Sequence, residues 1–326
     1  MLPIAVDAMG GDNAPSAIVA GARRAHEENG IPVVLVGRAD ELGDVGELPV
    51  IEASEVIAMD ADPGSSVRTM KDSSLVRAAE AVRDGDASAM VSAGNTGATM
   101  ASALLRTGRI KGVQRPAIAT PIPGPSGTPT VLLDAGANAE CKAEWLVQFG
   151  QMGAVFARAR FGVEKPRVAL LSIGEEAGKG SPLVKEAYGL LDAVDWAAQG
   201  AEFVGNVEGR DLMGTEADVV VTDGFTGNVA LKTLEGCAKN IISSLLEAFE
   251  SSPEAKAASE QLFPALMPLY QRFNADTYGG AMLLGTKGPC IISHGSSSEE
   301  AMVNAISVAA EMVQGEVVAQ IADAVK

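Results

Sequence analysis

The sequence predicts an α/β fold, a parallel sheet covered by helices, and three observations lead there. The 326 residues are 47% hydrophobic but only 4% aromatic, so the core is Ala, Val, Leu and Ile, the usual filling of helix-covered parallel sheets. A short β-branched run, then Asp or Ser, then a small polar Gly turn, then a helix-period stretch recurs at least four times. The 36 glycines fall in turns between periodic segments and form no low-complexity tract. The clearest copy is Val219-Val220-Val221-Thr222-Asp223-Gly224-Phe225-Thr226-Gly227-Asn228. Such a junction aims free backbone N–H groups and the positive end of a helix dipole at one point, which suits a phosphate; plain α/β punctuation produces the same pattern. Repetition predicts several such turns gathered on one edge of the sheet.

Residues 3–6 read as the first strand, ending at Asp7. Asp12 or Asn13 caps the next helix, Pro15 sits in its first turn, and Asn29-Gly30 stops it. A second strand covers 32–36, and 50–59 holds one or two short ones. Residues 62–68 form a loop, with Arg68 and Lys71 as candidate anion ligands, and Ser73 caps a helix to 82. The strand at 88–91 leads into Ser92-Ala93-Gly94-Asn95-Thr96-Gly97-Ala98, where small residues admit a ligand to the backbone. Asn95 and Thr96 add polar donors that packing alone does not require.

Strands at 116–120 and 130–133 flank a Pro/Gly turn, and Asp134-Ala135-Gly136-Ala137-Asn138 precedes a helix over 142–160. The strand at 167–171 opens onto a loop over 172–182, where Lys179 stands between two glycines and is placed either to meet an anion or simply to be solvated. Strands follow at 201–204 and 218–222. The next helix runs from 229 to about 250, which puts Lys232 in its first turn. Residues 251–275 break the rhythm: 262–270 is apolar and uncharged, contains Pro264 and Pro268, and is flanked by Lys256 and Arg272. Too short to span a bilayer, it fits a partner surface, an interfacial membrane segment or a folded-back cover. Residues 279–284 and 290–293 return to the sheet, and His294-Gly295-Ser296-Ser297-Ser298 enters the final helix with Ser298 or a neighbour as its cap.

A net charge of −17 argues against nucleic acid. Two basic stretches, Arg106, Arg109, Lys111 and Arg115, then Arg158, Arg160, Lys165 and Arg167, are candidate docking patches for an acidic partner or solvated helix ends. Cys141, Cys237 and Cys290 form no metal or C-x-x-C pattern, so reduced cytoplasmic thiols are expected. The N-terminus carries no basic flank or cleavable apolar region. G-x-S-x-G, H-E-x-x-H and G-x-G-x-x-G are missing, and 280–287 only approximates a P-loop because Lys287 comes one place late. His294 is the one histidine at a strand-to-turn junction, fitting either a structural or a catalytic role. Neither cofactor nor metal is expected; magnesium on carboxylates stays open. The inventory describes a phosphate-handling enzyme with no evident protein nucleophile, which fits acyl transfer to phosphate. A phosphate with a second pKa of about 6 is largely dianionic near neutrality, and a thiolate is a ready leaving group.

Six motifs in order, Val6-Asp7-Ala8-Met9-Gly10-Gly11-Asp12, Ser92 to Ala98, Leu132-Leu133-Asp134-Ala135-Gly136-Ala137-Asn138, Gly205-Asn206-Val207-Glu208-Gly209, Thr222 to Asn228 and His294-Gly295-Ser296-Ser297, resemble the bacterial phosphate acyltransferase (PlsX) family. The resemblance runs from the first strand to the last helix, so it implies one catalytic domain over 1–326 with a helical hairpin excursion at about 239–276. It implies a three-layer, Rossmann-like α/β/α fold similar to isocitrate and isopropylmalate dehydrogenases. The implied reaction moves a long fatty acyl group from acyl-carrier protein to inorganic phosphate, giving acyl phosphate for a membrane glycerol-3-phosphate acyltransferase in phospholipid synthesis. A cytoplasmic homodimer, in peripheral membrane contact through 251–275, is also implied. On this reading Asn95, Thr96, Gly97, Gly227 and Asn228 hold phosphate or the acyl carbonyl through turn N–H groups. Lys179 and Lys232 supply positive charge, His294 polarises the carbonyl or orients phosphate, and Asp7, Asp134 and Asp223 organise the turns. The rival readings are a phosphate acetyltransferase or dehydrogenase on the same fold, marked by a short-acyl coenzyme A substrate or tight NAD binding, and a non-enzymatic membrane scaffold.

Overall fold

The computed structural model describes residues 1–125, 127–273 and 275–326. Among them, eleven strands make one sheet: β1 (Ile4–Asp7), β2 (Val33–Gly37), β3 (Val50–Glu52), β4 (Ala89–Ser92), β5 (Ala117–Ile122), β6 (Thr130–Leu133), β7 (Arg167–Leu171), β8 (Glu202–Val207), β9 (Val219–Val221), β10 (Ala281–Leu284) and β11 (Cys290–Ile292), in the order β3-β2-β1-β4-β11-β10-β5-β6-β9-β7-β8. The helices are α1 (Ser16–Asn29), α2 (Pro63–Thr69), α3 (Ser74–Asp84), α4 (Thr96–Arg106), α5 (Ala143–Phe161), α6 (Pro182–Asp192), α7 (Gly224–Phe249), α8 (Pro253–Phe273), α9 (Glu299–Gln314) and α10 (Val317–Ala324).

The sheet is not parallel throughout. β3, β2, β1, β4 and β11 are mutually parallel, and so are β6, β9, β7 and β8. Between these halves β10 is antiparallel to both β11 and β5, and β5 is antiparallel to β6. The connections at 285–289 and 123–129 are too short for a parallel crossover, so they force the reversal. The two halves therefore point in opposite directions. This corrects the expectation of one shared rim: the turns after β1, β4 and β11 lie on one edge, and those after β6, β9 and β7 on the other.

One face carries a continuous apolar core, from Ile4 and Val6 through Ala117 and Ala119 to Val219 and Val221, and it packs against helices that include α1, α5 and α9. The other face is split. Val34, Val36, Met90 and Ile292 pack with α3 and α4, whereas Leu132, Val220 and Leu171 pack with the 3-10 helix Gly209–Met213 and α7. Side chains alternate along a strand, and β5 turns Ile118, Thr120 and Ile122 toward this split face. Ile118 joins the first cluster and Ile122 the second. The gap between the two is a cleft above the point where the sheet reverses.

Local departures from the sequence reading have local causes. Residues 63–69 are helical because Asp62 accepts the Ser65 N–H at 2.8 Å and Pro63 occupies the first turn. The Ser181-Pro182 pair starts α6, which the sequence reading did not assign. Neither Asp12 nor Asn13 caps α1; its N-cap is Pro15, and the Asn13 amide instead donates to the Ser296 and Ser297 carbonyls. The chain ends with α10 rather than with the helix capped by Ser298. α7 begins at Gly224 rather than 229, because Asp223 caps it by accepting the Thr226 N–H at 2.8 Å.

Candidate active site

The strand-end acidic residues are consumed by hydrogen bonds within their turns and from neighbouring strands. Asp7 is buried and accepts the Ser92 hydroxyl at 2.7 Å, while Ser92 Oγ accepts the Gly94 N–H at 3.0 Å. Burial pushes the Asp7 carboxyl above its ordinary value, against hydrogen bonds from Ser74, Ser92, Met9 and Gly10 that pull it back. A Cβ on Gly10 would stand 2.6 Å from Asp7 Oδ2 and 2.8 Å from Gly94 N, so only glycine lets the β1 and β4 turns touch. On the opposite edge, buried Asp134 accepts N–H groups of Ile118, Gly136, Ala137 and Asn138 and the Asn138 side-chain amide. Burial raises its carboxyl as well, with those donors opposing. These carboxylates hold turns in place and have little acceptor capacity left for a ligand.

The cleft on the split face has a volume of about 1090 Å³. Its polar head is lined by Asp12, Thr96, Thr120, Asn228, Lys232, Ser293 and His294; α7 and α8 then line a long apolar arm. Thr96 and Gly97 are the first two residues of α4, whose first turn has no acid, and among the described residues no hydrogen bond occupies their N–H groups. Asn95 is the cap: its Oδ1 accepts the Ala98 N–H at 3.0 Å, and its Nδ2 donates to the Met59 and Ala61 carbonyls. Asn95 therefore aims this anion-ready helix end rather than offering a free side chain. His294 Nδ1 accepts the Ser296 N–H at 3.2 Å and lies 2.7 Å from Ser296 Oγ. A neutral ring held this way carries its proton on Nε2, as a donor.

The α7 end differs from the sequence expectation. Gly224 N–H donates to Asn138 O, Thr226 N–H to Asp223 and Gly227 N–H to Asp223 O, and Asn228 lies inside the helix, where amides are bonded. Gly227 and Asn228 thus have no turn N–H for phosphate, although the exposed Asn228 side chain does line the cleft. Lys232 sits beyond the first turn and is paired with Glu235 at 2.8 Å. Lys179 is exposed on the loop after β7, on the other edge of the sheet, and does not line the cleft. Arg68 and Lys71 are also outside the lining. Thr96 and His294 are brought to the cleft, with Gly97 next to Thr96 but outside the lining; Lys179, Asp223 and Gly227 are also outside it. Sequence reasoning missed Asp12, Thr120 and Ser293 as cleft residues. Asp12 was legible only as a helix cap, and nothing local shows its N–H donating to Gly295 O at 2.7 Å across the two loops.

Burial pushes the Cys141 and Cys290 thiols up to about 12, so both stay protonated near neutrality. Cys237 is exposed on α7 and lines the apolar arm. Among the described residues, no group of three or more His, Cys, Asp or Glu is placed to hold a metal ion.

A reversed α/β/α sheet with a two-part cleft at the reversal is the architecture of this chain. The fold is shared, at TM-scores of 0.65 and 0.61, with a phosphotransacetylase from Streptococcus pyogenes (16% identity, 97% of this chain, 94% of that one) and a branched-chain phosphotransacylase from Enterococcus faecalis (17% identity, 96% and 99%). It is shared more loosely, at 0.53, with a putative 4-hydroxythreonine-4-phosphate dehydrogenase from Salmonella typhimurium (13% identity, 96% and 99%). The chain belongs to the fatty acid synthesis protein family, whose profile matches residues 2–320. Curated relatives carry the name phosphate acyltransferase: one from Desulfitobacterium hafniense is 46% identical over 96% of this chain and 94% of its own length, and one from Elusimicrobium minutum 47% over 98% and 94%.

Proposed function

We infer that the protein transfers a long-chain fatty acyl group to inorganic phosphate. Family membership and the names of its relatives support acyl transfer to phosphate. The observation that carries the long-chain part is continuity: one cleft joins Thr96, whose amide is unoccupied, and the ring of His294 to an arm of aliphatic and aromatic side chains. Phosphate sits at the α4 N-terminus and His294 Nε2 donates to the thioester carbonyl oxygen. A phosphate oxygen attacks the carbonyl carbon, the carbon–sulfur bond breaks, and the thiolate departs to leave acyl phosphate. The protein positions the reactants and stabilises the oxyanion. The acyl donor is a thioester on acyl-carrier protein, and the product feeds a membrane glycerol-3-phosphate acyltransferase. Palmitoyl-acyl-carrier protein mixed with the protein and phosphate should release free thiol and acyl phosphate in equal amounts. Thiol release that does not depend on phosphate would defeat this reading.

The first basic stretch is the better candidate for docking the acidic carrier. Among the described residues Lys111 and Arg115 have no acidic partner, although Arg106 meets Glu80, whereas Arg160, Lys165 and Arg167 are paired with Glu311, Glu202 and Asp218. Ile173 and Phe225, 82% and 66% exposed at the ends of neighbouring strands β7 and β9, support an apolar contact with a second copy of the chain.

Peripheral membrane contact through 251–275 is part of the same proposal; Asn274 of that segment lies outside the described residues. No described helix is long and apolar enough to cross a membrane. Over 239–276 the hairpin carries Lys239, Lys256 and Arg272 against Glu247, Glu250, Glu254, Glu260 and Asp276. An acidic hairpin gains nothing from anionic lipid, so attachment rests on apolar side chains such as Leu262 and Leu269. Vesicle flotation should therefore differ by less than about twofold between neutral and anionic vesicles, and between low and high salt. Binding that needs anionic lipid and disappears in salt would contradict it.

A further inference from the structure

The apolar arm follows one stripe of α7. Leu231, Leu234, Ala238, Ile241, Leu245 and Phe249 recur at helical spacing and all line the cleft. Phe273, Tyr270, Met267 and Phe263 of α8 form another wall, and Pro121 and Ile122 of β5, with Pro123 just after it, close the side toward the sheet. Helices joined by residues 250–252 alone run antiparallel, so the arm leads from the polar head toward the hairpin tip. Ile241, Leu245 and Leu246 are large apolar side chains left 62%, 43% and 45% exposed there. Apolar surface uncovered along the wall of a cleft whose polar end fits a thioester is surface that an acyl chain would cover.

We propose that this stripe of α7 reads acyl chain length, with Leu245 opposite the last carbons of a 16-carbon chain. The inference rests on the acyl-transfer reading and adds the residues that set its specificity. Helical rise places Leu245 about 21 Å and Ile241 about 15 Å along the axis from Leu231, where the lining turns apolar. An extended chain advances about 1.25 Å for each carbon–carbon bond of about 1.5 Å. A palmitoyl chain starting beside Leu231 thus spans about 19 Å and reaches the turn of Leu245, while a dodecanoyl chain spans about 14 Å and ends near Ile241. Each methylene newly buried on the stripe favours the longer chain by about fourfold at most. The lining continues past Leu245 to Phe249, so preference rises with length through at least about 16 carbons.

The test is phosphate-dependent thiol release from octanoyl-, dodecanoyl- and palmitoyl-acyl-carrier protein, reported as ratios of kcat/KM. Leu245→Trp fills the outer arm and should lower the palmitoyl-to-dodecanoyl ratio by about tenfold or more. Leu245→Ala removes contact without adding bulk and should lower the same ratio by about two- to fourfold. Ile241→Trp acts one turn earlier and should lower the dodecanoyl-to-octanoyl ratio as well. Ratios within twofold of the unmodified protein in all three variants overturn the ruler, and so does a loss that is equal at every chain length in Leu245→Ala, the mildest change. No phosphate-dependent release from any donor by the unmodified protein would instead overturn the acyl-transfer reading on which the ruler rests.

Discussion

His294→Ala is expected to lower kcat by about two to three orders of magnitude while changing KM for a palmitoyl donor much less, because loss of one preorganised oxyanion donor has an effect of about that size. The split between kcat and KM follows from the layout of the cleft. The chain is held by the α7 stripe, which His294 does not join, so binding survives when the ring is removed. What is lost is a donor whose tautomer is set in advance, with Ser296 N–H and Oγ both engaged at Nδ1. His294→Gln keeps an N–H donor on a shorter reach and should recover part of the loss. Ser296→Ala removes one of the two orienting groups and should cost only a few fold. Steady-state rates with palmitoyl-acyl-carrier protein and saturating phosphate check all three. An unchanged kcat in His294→Ala would take the ring out of the chemistry and leave Thr96 and Gly97 to stabilise the oxyanion.

The strands were legible because their cores are short β-branched or aliphatic runs. Arg167–Leu171 and Thr130–Leu133 lie where the sequence put them. The acidic strand ends at Asp7, Asp134 and Asp223 were legible as turn organisers, and each accepts the N–H groups of its own turn. Strand direction was harder to read. Repeated strand–turn–helix units look the same whichever way they point, and only the short 123–129 and 285–289 connections record the reversal. Because of that reversal, similar motifs around Asn95 and Gly227 have different fates. One ends with unoccupied amides at Thr96, which lines the cleft, and at Gly97 beside it; the other has its amides spent, Gly224 on Asn138 O of the Asp134 turn and Thr226 and Gly227 on Asp223. Lys179 was expected near phosphate from its glycine flanks alone, a signal that says a residue is accessible and not which edge of the sheet it stands on.

Gly227→Ala separates these two fates through a large loss of stability. A Cβ at Gly227 would stand 2.0 Å from the Asp134 carbonyl oxygen, and one at Gly224 would stand 2.6 Å from the Asn138 carbonyl oxygen. Both obstacles are backbone, held by the hydrogen bonds around Asp134, so neither gives way as a flexible side chain does. Relief requires the first turn of α7 to lift from the sheet, and the added methyl should cost about 3 kcal/mol or more, at the top of the range for overpacking. Phe225→Ala, in the same turn but 66% exposed, should change stability by less than about 0.5 kcal/mol. Urea unfolding of the two variants measures the difference. Since α7 also supplies one wall of the cleft, the Gly227 variant should lose palmitoyl transfer in step with its folded fraction. A variant that melts like the unmodified protein but no longer binds phosphate would return Gly227 to the anion site.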